Sequence, residues 1–211
     1  ALRIPNLFRR LTAEGAFSTV FIPMFSKKLL IHRKIALNFA EDIFFISLIL
    51  MIIITSILQI LMPLLIYFIA YGFIDDPVKY NLAINYSRIT VPYILLISLS
   101  SLGIGILNSL GRYFASSFLP ILFNIILILV LILPIKDSIL IGYLLSFGVI
   151  FSGIIQLLLI FYFLYKAGYS LNFKKPKNLK TIIKFSEIAK PQLITGFIMQ
   201  ANIIDRKSGS A

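Results

Sequence analysis

Arg3, Arg9, Arg10 and Glu14 crowd into the start of the chain, with Pro5 and Asn6 among them. On a helical wheel Arg3, Asn6, Arg10 and Glu14 follow i, i+3, i+7, i+11 and share one face, whereas Arg9 is turned by about 100°. Pro5 removes a helical hydrogen bond and kinks this start. Arg10 and Glu14 pair at i, i+4, which leaves Arg9 and Arg3 with positive charge that nothing nearby neutralises. A guanidinium presents a planar fork of donors that matches phosphate oxygens, and it stays protonated in apolar surroundings. The chemistry this pattern suits is the seating of an anionic head group. The blander alternatives are purely structural pairing, or arginines at a helix end whose side chains snorkel to an interface.

What must position these residues follows from composition. The chain of 211 residues is 59% hydrophobic and 13% charged, with 20 Lys and Arg against 8 Asp and Glu. An ordinary soluble domain carries about 25% charge, so a water-soluble globule is excluded. The stretches from Asp42 to Asp75, Arg88 to Arg112, Arg112 to Lys136 and Asp137 to Lys166 hold no charge between their ends. Each reaches the roughly 20 apolar residues that a spanning helix needs. None alternates polar and apolar as a spanning barrel would, so the fold class is an all-α, polytopic membrane helix bundle. From Leu11 to Ser26 a helix rises only about 24 Å, short of the roughly 30 Å hydrocarbon core. To reach the lysines at 27 and 28 that helix must begin earlier, which brings Arg9, Arg10 and Glu14 into the membrane. Charges there do not face lipid, so they should line a hydrated cavity.

The expected spans are 1–26, 40–73, 86–110, 114–134, 139–165 and a partial one over 181–204. The chain starts without Met and inside an apparently helical stretch, which reads as a fragment. Alternate connections differ in charge. Lys27, Lys28, Arg33 and Lys34, then Arg112, then Lys166, Lys174, Lys175, Lys177, Lys180 and Lys184 fall on one side; Lys79, Arg88 and Lys136, beside Asp75, Asp76 and Asp137, fall on the other. That bias places the first set in the cytoplasm. His32, the only histidine, is expected in a solvated loop, and the lysine-rich loop near 167–180 reads as positive-inside charge before it reads as an anionic-lipid site. Glu41 and Asp42 are expected at a helix N-terminus, where negative charge is favoured. Ser101, Gly105 and Ser109 recur at helical spacing and allow close helix approach, and Pro120 with Asn124 reads as a shaped kink.

Absences narrow the function. The chain has no cysteine, which removes disulfides, thiolate metal sites and cysteine nucleophiles. It lacks a phosphate-binding G-x-x-x-x-G-K-[ST] loop, H-E-x-x-H and G-x-S-x-G. No catalytic residue, metal site or cofactor is therefore expected, and no nucleic-acid-binding module accompanies the basic charge.

The run Ile4-Pro5-Asn6-Leu7-Phe8-Arg9-Arg10-Leu11-Thr12-Ala13-Glu14-Gly15-Ala16-Phe17-Ser18, continuing through Phe21-Ile22-Pro23, closely resembles the P-N-x-x-R-R-x-x-A-E-G-A-F signature of the MurJ (MviN) lipid II flippases. A second block, Pro92 to Leu99, Leu107-Asn108, Arg112-Tyr113-Phe114, Pro120 and Asn124, follows the order and spacing of that family. From 139 to 204 the similarity is in hydropathy more than in motif. The resemblance implies a bacterial inner-membrane protein of the MOP exporter superfamily, with two six-helix lobes around a cationic cavity. Residues 1–166 would be the first lobe lacking its opening helix, 167–180 the cytoplasmic loop between lobes, and 181–211 the start of the second lobe. The polar ending after Ile204 departs from the family pattern. Function would be the flipping of the lipid-linked peptidoglycan precursor, lipid II, for cell-wall synthesis, with membrane lipids and cell-wall synthesis proteins as further partners. Arg9 matches the first of the paired cavity arginines, Arg10 and Glu14 match family positions, and Arg3 stands where other members often have lysine. Other superfamily exporters and a non-transporting scaffold, whose charges serve only helix pairing, are the rival readings. An enzyme acting on polyprenyl phosphate is disfavoured because catalytic carboxylates and metal motifs are missing.

Overall fold

The computed structural model describes residues 17–73, 75–171, 176 and 182–191. In chain order the helices are α1 (Phe17–Ile31), α2 (Arg33–Ile60), α3 (Met62–Ile69), α4 (Pro77–Thr90), α5 (Tyr93–Ser109), α6 (Phe114–Leu131) and α7 (Ser138–Lys166), with a 3-10 turn at Tyr71–Phe73. Residues 182–191 form a further helix, α8. Among the described residues there is no strand. Four runs are long and apolar enough to cross a membrane: Arg33–Ile60, Pro77–Ser109, Phe114–Leu131 and Ser138–Lys166.

The apolar residues face two ways. Ile49, Ile53, Ile57 and Ile60 on α2, Ile121 and Ile128 on α6, and Phe147, Phe151, Ile154 and Leu158 on α7 are exposed. Their spacing makes outward stripes, which is the face a helix offers to lipid. The inward stripes carry Phe21 and Phe25 of α1, Ala36, Ala40 and Ile43 of α2, Ile94, Leu102 and Ile106 of α5, and Ile160 and Leu164 of α7. Lipid tails are as apolar as these side chains, so close packing and not water exclusion holds the helices together. Small residues make that packing possible. A Cβ added at Gly103 would collide with Ile160, and one at Gly153 would sit 2.7 Å from Tyr93 and 2.9 Å from Leu96. Leu96 opposite Gly153 and Gly103 opposite Ile160 also fix the register: α5 and α7 run parallel. α5 packs on α1, α2 and α7, and α7 packs on α4, α5 and α6.

The two ends of the bundle are tied separately. At one end Arg33 bonds the carbonyls of Ala167 and Gly168, so the α1–α2 turn meets the close of α7. At the other, Gln59 Nε2 donates to the Arg88 carbonyl at 2.7 Å, Tyr80 to that of Pro63 at 2.9 Å, and Tyr86 to that of Ile139 at 3.0 Å. The lysine-bearing connections thus meet one another, and the connections poorer in lysine do likewise.

Five sequence expectations need correction. The loop expected from 27 to 39 shrinks to His32, whose Nδ1 accepts from the Lys34 amide at 3.1 Å and caps α2. Lys27, Lys28 and Lys34 are helical, because a lysine at a helix end reaches water along its own stem. Glu41 and Asp42 therefore lie about 12 Å along α2 from its start at Arg33, and not at an N-terminus. The span expected over 40–73 breaks at Leu61, where Pro63 cannot donate to a continuing helix. The span expected over 86–110 starts earlier, at Pro77, and is divided near Pro92 into α4 and α5. Finally Asn124 is exposed on α6, which continues through Pro120, and it makes no bond to a proline-freed carbonyl. α6 and α7 start and end within a few residues of expectation.

Candidate functional site

Arg3, Arg9, Arg10 and Glu14 all lie outside the described residues. What is described is the element that follows them. α1 is seated between α2 and α5 by an aromatic stack: Phe21 lies 5.7 Å from Phe25 and 5.6 Å from Phe39, with both ring pairs nearly parallel. Gly105 of the Ser101-Gly105-Ser109 stripe lets α5 approach, since a Cβ there would meet the Phe21 ring at 3.2 Å and Ile22 at 3.4 Å. The close packing expected of that stripe is therefore made against α1. The other face of α1, with Thr19, Pro23, Lys27 and Leu30, is exposed.

Next to this frame sit the buried charged residues of the described chain, Glu41 and Asp42, at 7% and 4% exposure. Residues 39 to 44 are buried without interruption, so α2 is enclosed on every side at this level. Neither residue is without a partner. Ionisable groups at membrane depth are expensive and mark function by default. The sequence carries a signal for them: Ala36, Ala40, Ile43 and Ser47 form an inward stripe that begins upstream of the uncharged run.

A second polar set lies in the α5–α7 seam. Most serines here return their hydroxyls to their own helix, Ser98 to Ile94, Ser109 to Gly105 and Ser146 to Gly142, all within 2.8 Å. That satisfies them where no water is available. Ser100 Oγ and Gln156 Nε2 are fully buried and have no partner. Ser100 shares the stripe of Tyr93, Leu96 and Gly103, and Gln156 shares that of Gly153 and Ile160, so the parallel register sets the two at one level. A lone amide in a charge-free run was the available sequence signal.

At the lysine-rich end Arg33 forms a clasp. Its Nη2 donates to the Gly168 carbonyl at 2.6 Å and to that of Ala167 at 3.3 Å, and its guanidinium lies 4.5 Å over the buried Tyr169 ring. Gly168 has φ +80°, and a Cβ there would collide with the guanidinium. Tyr169 also reaches Phe25 of α1 at 6.3 Å, and Phe39 of α2 reaches Phe185 of α8 at 6.3 Å. Lys28 Nζ stands 5.3 Å over Phe39. In the sequence Arg33 is one cation among four between Lys27 and Lys34.

Four apolar spanning runs, with carboxylates enclosed near one end and lysines gathered at that same end, define a multi-pass membrane protein. The chain belongs to the MurJ lipid II flippase family: a family model described as lipid II flippase MurJ matches residues 1–206. The match runs through Arg3, Arg9, Arg10 and Glu14 and extends well past the motifs at the start of the chain. Among curated relatives, a probable lipid II flippase MurJ of Rhizobium meliloti is 36% identical over 97% of this chain and 39% of its own length. A probable lipid II flippase MurJ of Rickettsia prowazekii is 35% identical over 100% of this chain and 41% of its own length. The lipid II flippase MurJ of Burkholderia cenocepacia is 32% identical over 75% of this chain and 31% of its own length. The chain spans about two fifths of the first two of these relatives.

Proposed function

We propose that this chain is part of a flippase that moves lipid II from the cytoplasmic to the outer leaflet of a bacterial inner membrane by alternating access, as a transporter and not an enzyme. The family match over residues 1–206 carries the reading. Positive-inside charge supports placing the Arg33 end in the cytoplasm. On this reading Arg9 binds the pyrophosphate with help from Arg3 and Arg10, Glu14 balances Arg10, and the polyprenyl tail stays in lipid. Residues 1–166 belong to one lobe, 167–180 link it to the next, and rocking of the two lobes re-exposes the site outward. Membrane lipids and cell-wall synthesis proteins are the further partners.

The test is Arg9→Ala in the full-length protein, scored by complementation of a flippase-depleted strain and by flipping of lipid II in vesicles. The expected outcome is loss of growth and of flipping at unchanged expression; growth at the parental rate would overturn the role of Arg9. Retention of flipping for a different lipid-linked oligosaccharide, without lipid II flipping, would reassign the substrate.

A further inference from the structure

The tip of the α1–α2 hairpin combines features that neither water nor a protein core explains. Leu30 is 88% exposed, Ile31 72% and Ile35 43%, although they are large and apolar. Lys27 shares the α1 face of Leu30 and Ile31 at i, i+3, i+4 spacing, and Lys34 follows the turn; both lysines are exposed. No acidic residue occurs from Lys27 to Ala40. The other charged or titratable side chains of the tip are already engaged: His32 caps α2, Arg33 clasps Ala167 and Gly168, and Lys28 lies over the Phe39 ring.

The clasp also sets the depth of the tip. Ala167 and Gly168 directly follow the last turn of α7, whose outward Tyr162 and Tyr165 are 54% and 72% exposed. Outward tyrosines near the end of a spanning helix sit at the head-group level, so the tip bonded to this end is at that level too. There an apolar side chain can enter the boundary between head groups and acyl chains while neighbouring lysines reach phosphates.

We propose that the α1–α2 tip is a docking wedge for anionic phospholipid: Leu30 and Ile31 enter the head-group boundary of the adjacent leaflet, and Lys27 and Lys34 bind its phosphates. Charge complementarity selects this occupant, since the patch offers two free ammonium groups beside three apolar side chains and no carboxylate. The proposal rests on membrane insertion of the bundle and is independent of what the protein transports.

The chain contains no Trp, so Leu30→Trp introduces a single indole at the tip. The variant is reconstituted in vesicles of phosphatidylcholine alone or mixed with phosphatidylglycerol, with acyl chains brominated near the head group. Phe151→Trp, on the outward face of α7 at mid-length, reports correct insertion and should be quenched by lipid brominated deep in the chain in both compositions. The expected result at Leu30→Trp is blue-shifted emission quenched by the shallow bromines, several-fold more in the anionic mixture. Adding Lys27→Gln and Lys34→Gln, or high salt, should reduce that difference to the phosphatidylcholine level. With the Phe151→Trp control intact, red-shifted unquenched emission at Leu30→Trp would place the tip in water, and blue-shifted unquenched emission would place protein over it; either overturns the proposal. Equal quenching in both compositions would remove the anionic selectivity and overturn it as stated.

Discussion

Buried polar side chains of this chain fall into two kinds with opposite consequences. Gln156 Nε2 has no partner, and an orphaned buried donor costs roughly 1–3 kcal/mol. Gln156→Leu keeps much of the volume and removes that donor, so thermal unfolding in detergent is expected to show a variant at least as stable as the parent, by up to about 1 kcal/mol. A marked destabilisation would mean that the amide does find a partner. If Gln156→Leu is stable yet transport falls, the amide serves a conformation in which it is paired. Asp42 is the contrasting case, buried and engaged. Asp42→Leu strands whatever contacts the carboxylate and is expected to cost at least about 1–3 kcal/mol in the same assay, with Asp42→Asn milder because the amide retains an acceptor oxygen.

At the scale of elements, the helices that enter the bilayer from the lysine-poor end are capped by aspartates. Asp137 accepts from the Ile139 amide at 2.8 Å. Asp76 accepts from the Val78 and Lys79 amides at 3.1 Å and is 3.0 Å from Lys79 Nζ. The Lys79 side-chain hydrogen bond, followed by the amide bonds, holds the Asp76 carboxyl below its usual value. A carboxyl whose folded pKa is depressed stabilises the fold above its unfolded pKa and loses that contribution as pH falls through the folded pKa. The first turn of α4 is therefore expected to loosen in acid below the ordinary carboxylate range and to be indifferent to pH near neutrality. Hydrogen exchange at Val78 and Lys79, corrected for intrinsic rates, checks this: Asp76→Ala should exchange faster at every pH, and Asp76→Asn should cap without the acid dependence. A parent whose α4 protection is flat into acid would contradict it.

For the molecule as a whole, the Arg33 clasp joins the hairpin of α1 and α2 to the exit of α7. Gly168 is required twice, for its φ of +80° and for the room its missing Cβ gives the guanidinium. A left-handed conformation costs a residue with a Cβ roughly 1–2 kcal/mol, so Gly168→Ala pays that cost and also pushes Arg33 away. Arg33→Ala and Gly168→Ala are both expected to speed exchange at the Gly168 and Tyr169 amides, which donate to Tyr165 and Leu164 at 2.8 Å. Spin labels on the α1–α2 turn and the end of α7 should show a broadened distance distribution in both variants. Arg33→Lys should not rescue, because an ammonium cannot grip two carbonyls and stack on Tyr169 at once. Unchanged exchange in Arg33→Ala would make the clasp incidental.

Hydrocarbon thickness made the spans legible: it demands uncharged runs of a fixed minimum length, and α6 and α7 appear almost where those runs end. The break at Leu61 and the helix before Pro92 were missed although Pro63 and Pro92 were in plain view, because continuous apolarity outweighed the backbone chemistry of proline. Which connections share an end of the bundle was likewise set by charge, since lysines on alternate connections must share a side of the membrane. Three-dimensional packing decided the rest. Glu41 and Asp42 are interior because the inward stripe of α2 begins at Ala36 and draws the helix start back to Arg33, a choice made by what packs on that stripe. That Ser100 and Gln156 stand at one level follows from the parallel register of α5 and α7, which Gly103 and Gly153 permit and only their partners Ile160, Tyr93 and Leu96 specify. Arg33 is one more cation until the fold brings Gly168 within its reach, because contacts across so long a stretch of chain depend on how helices stack, and one-dimensional periodicity carries no record of that.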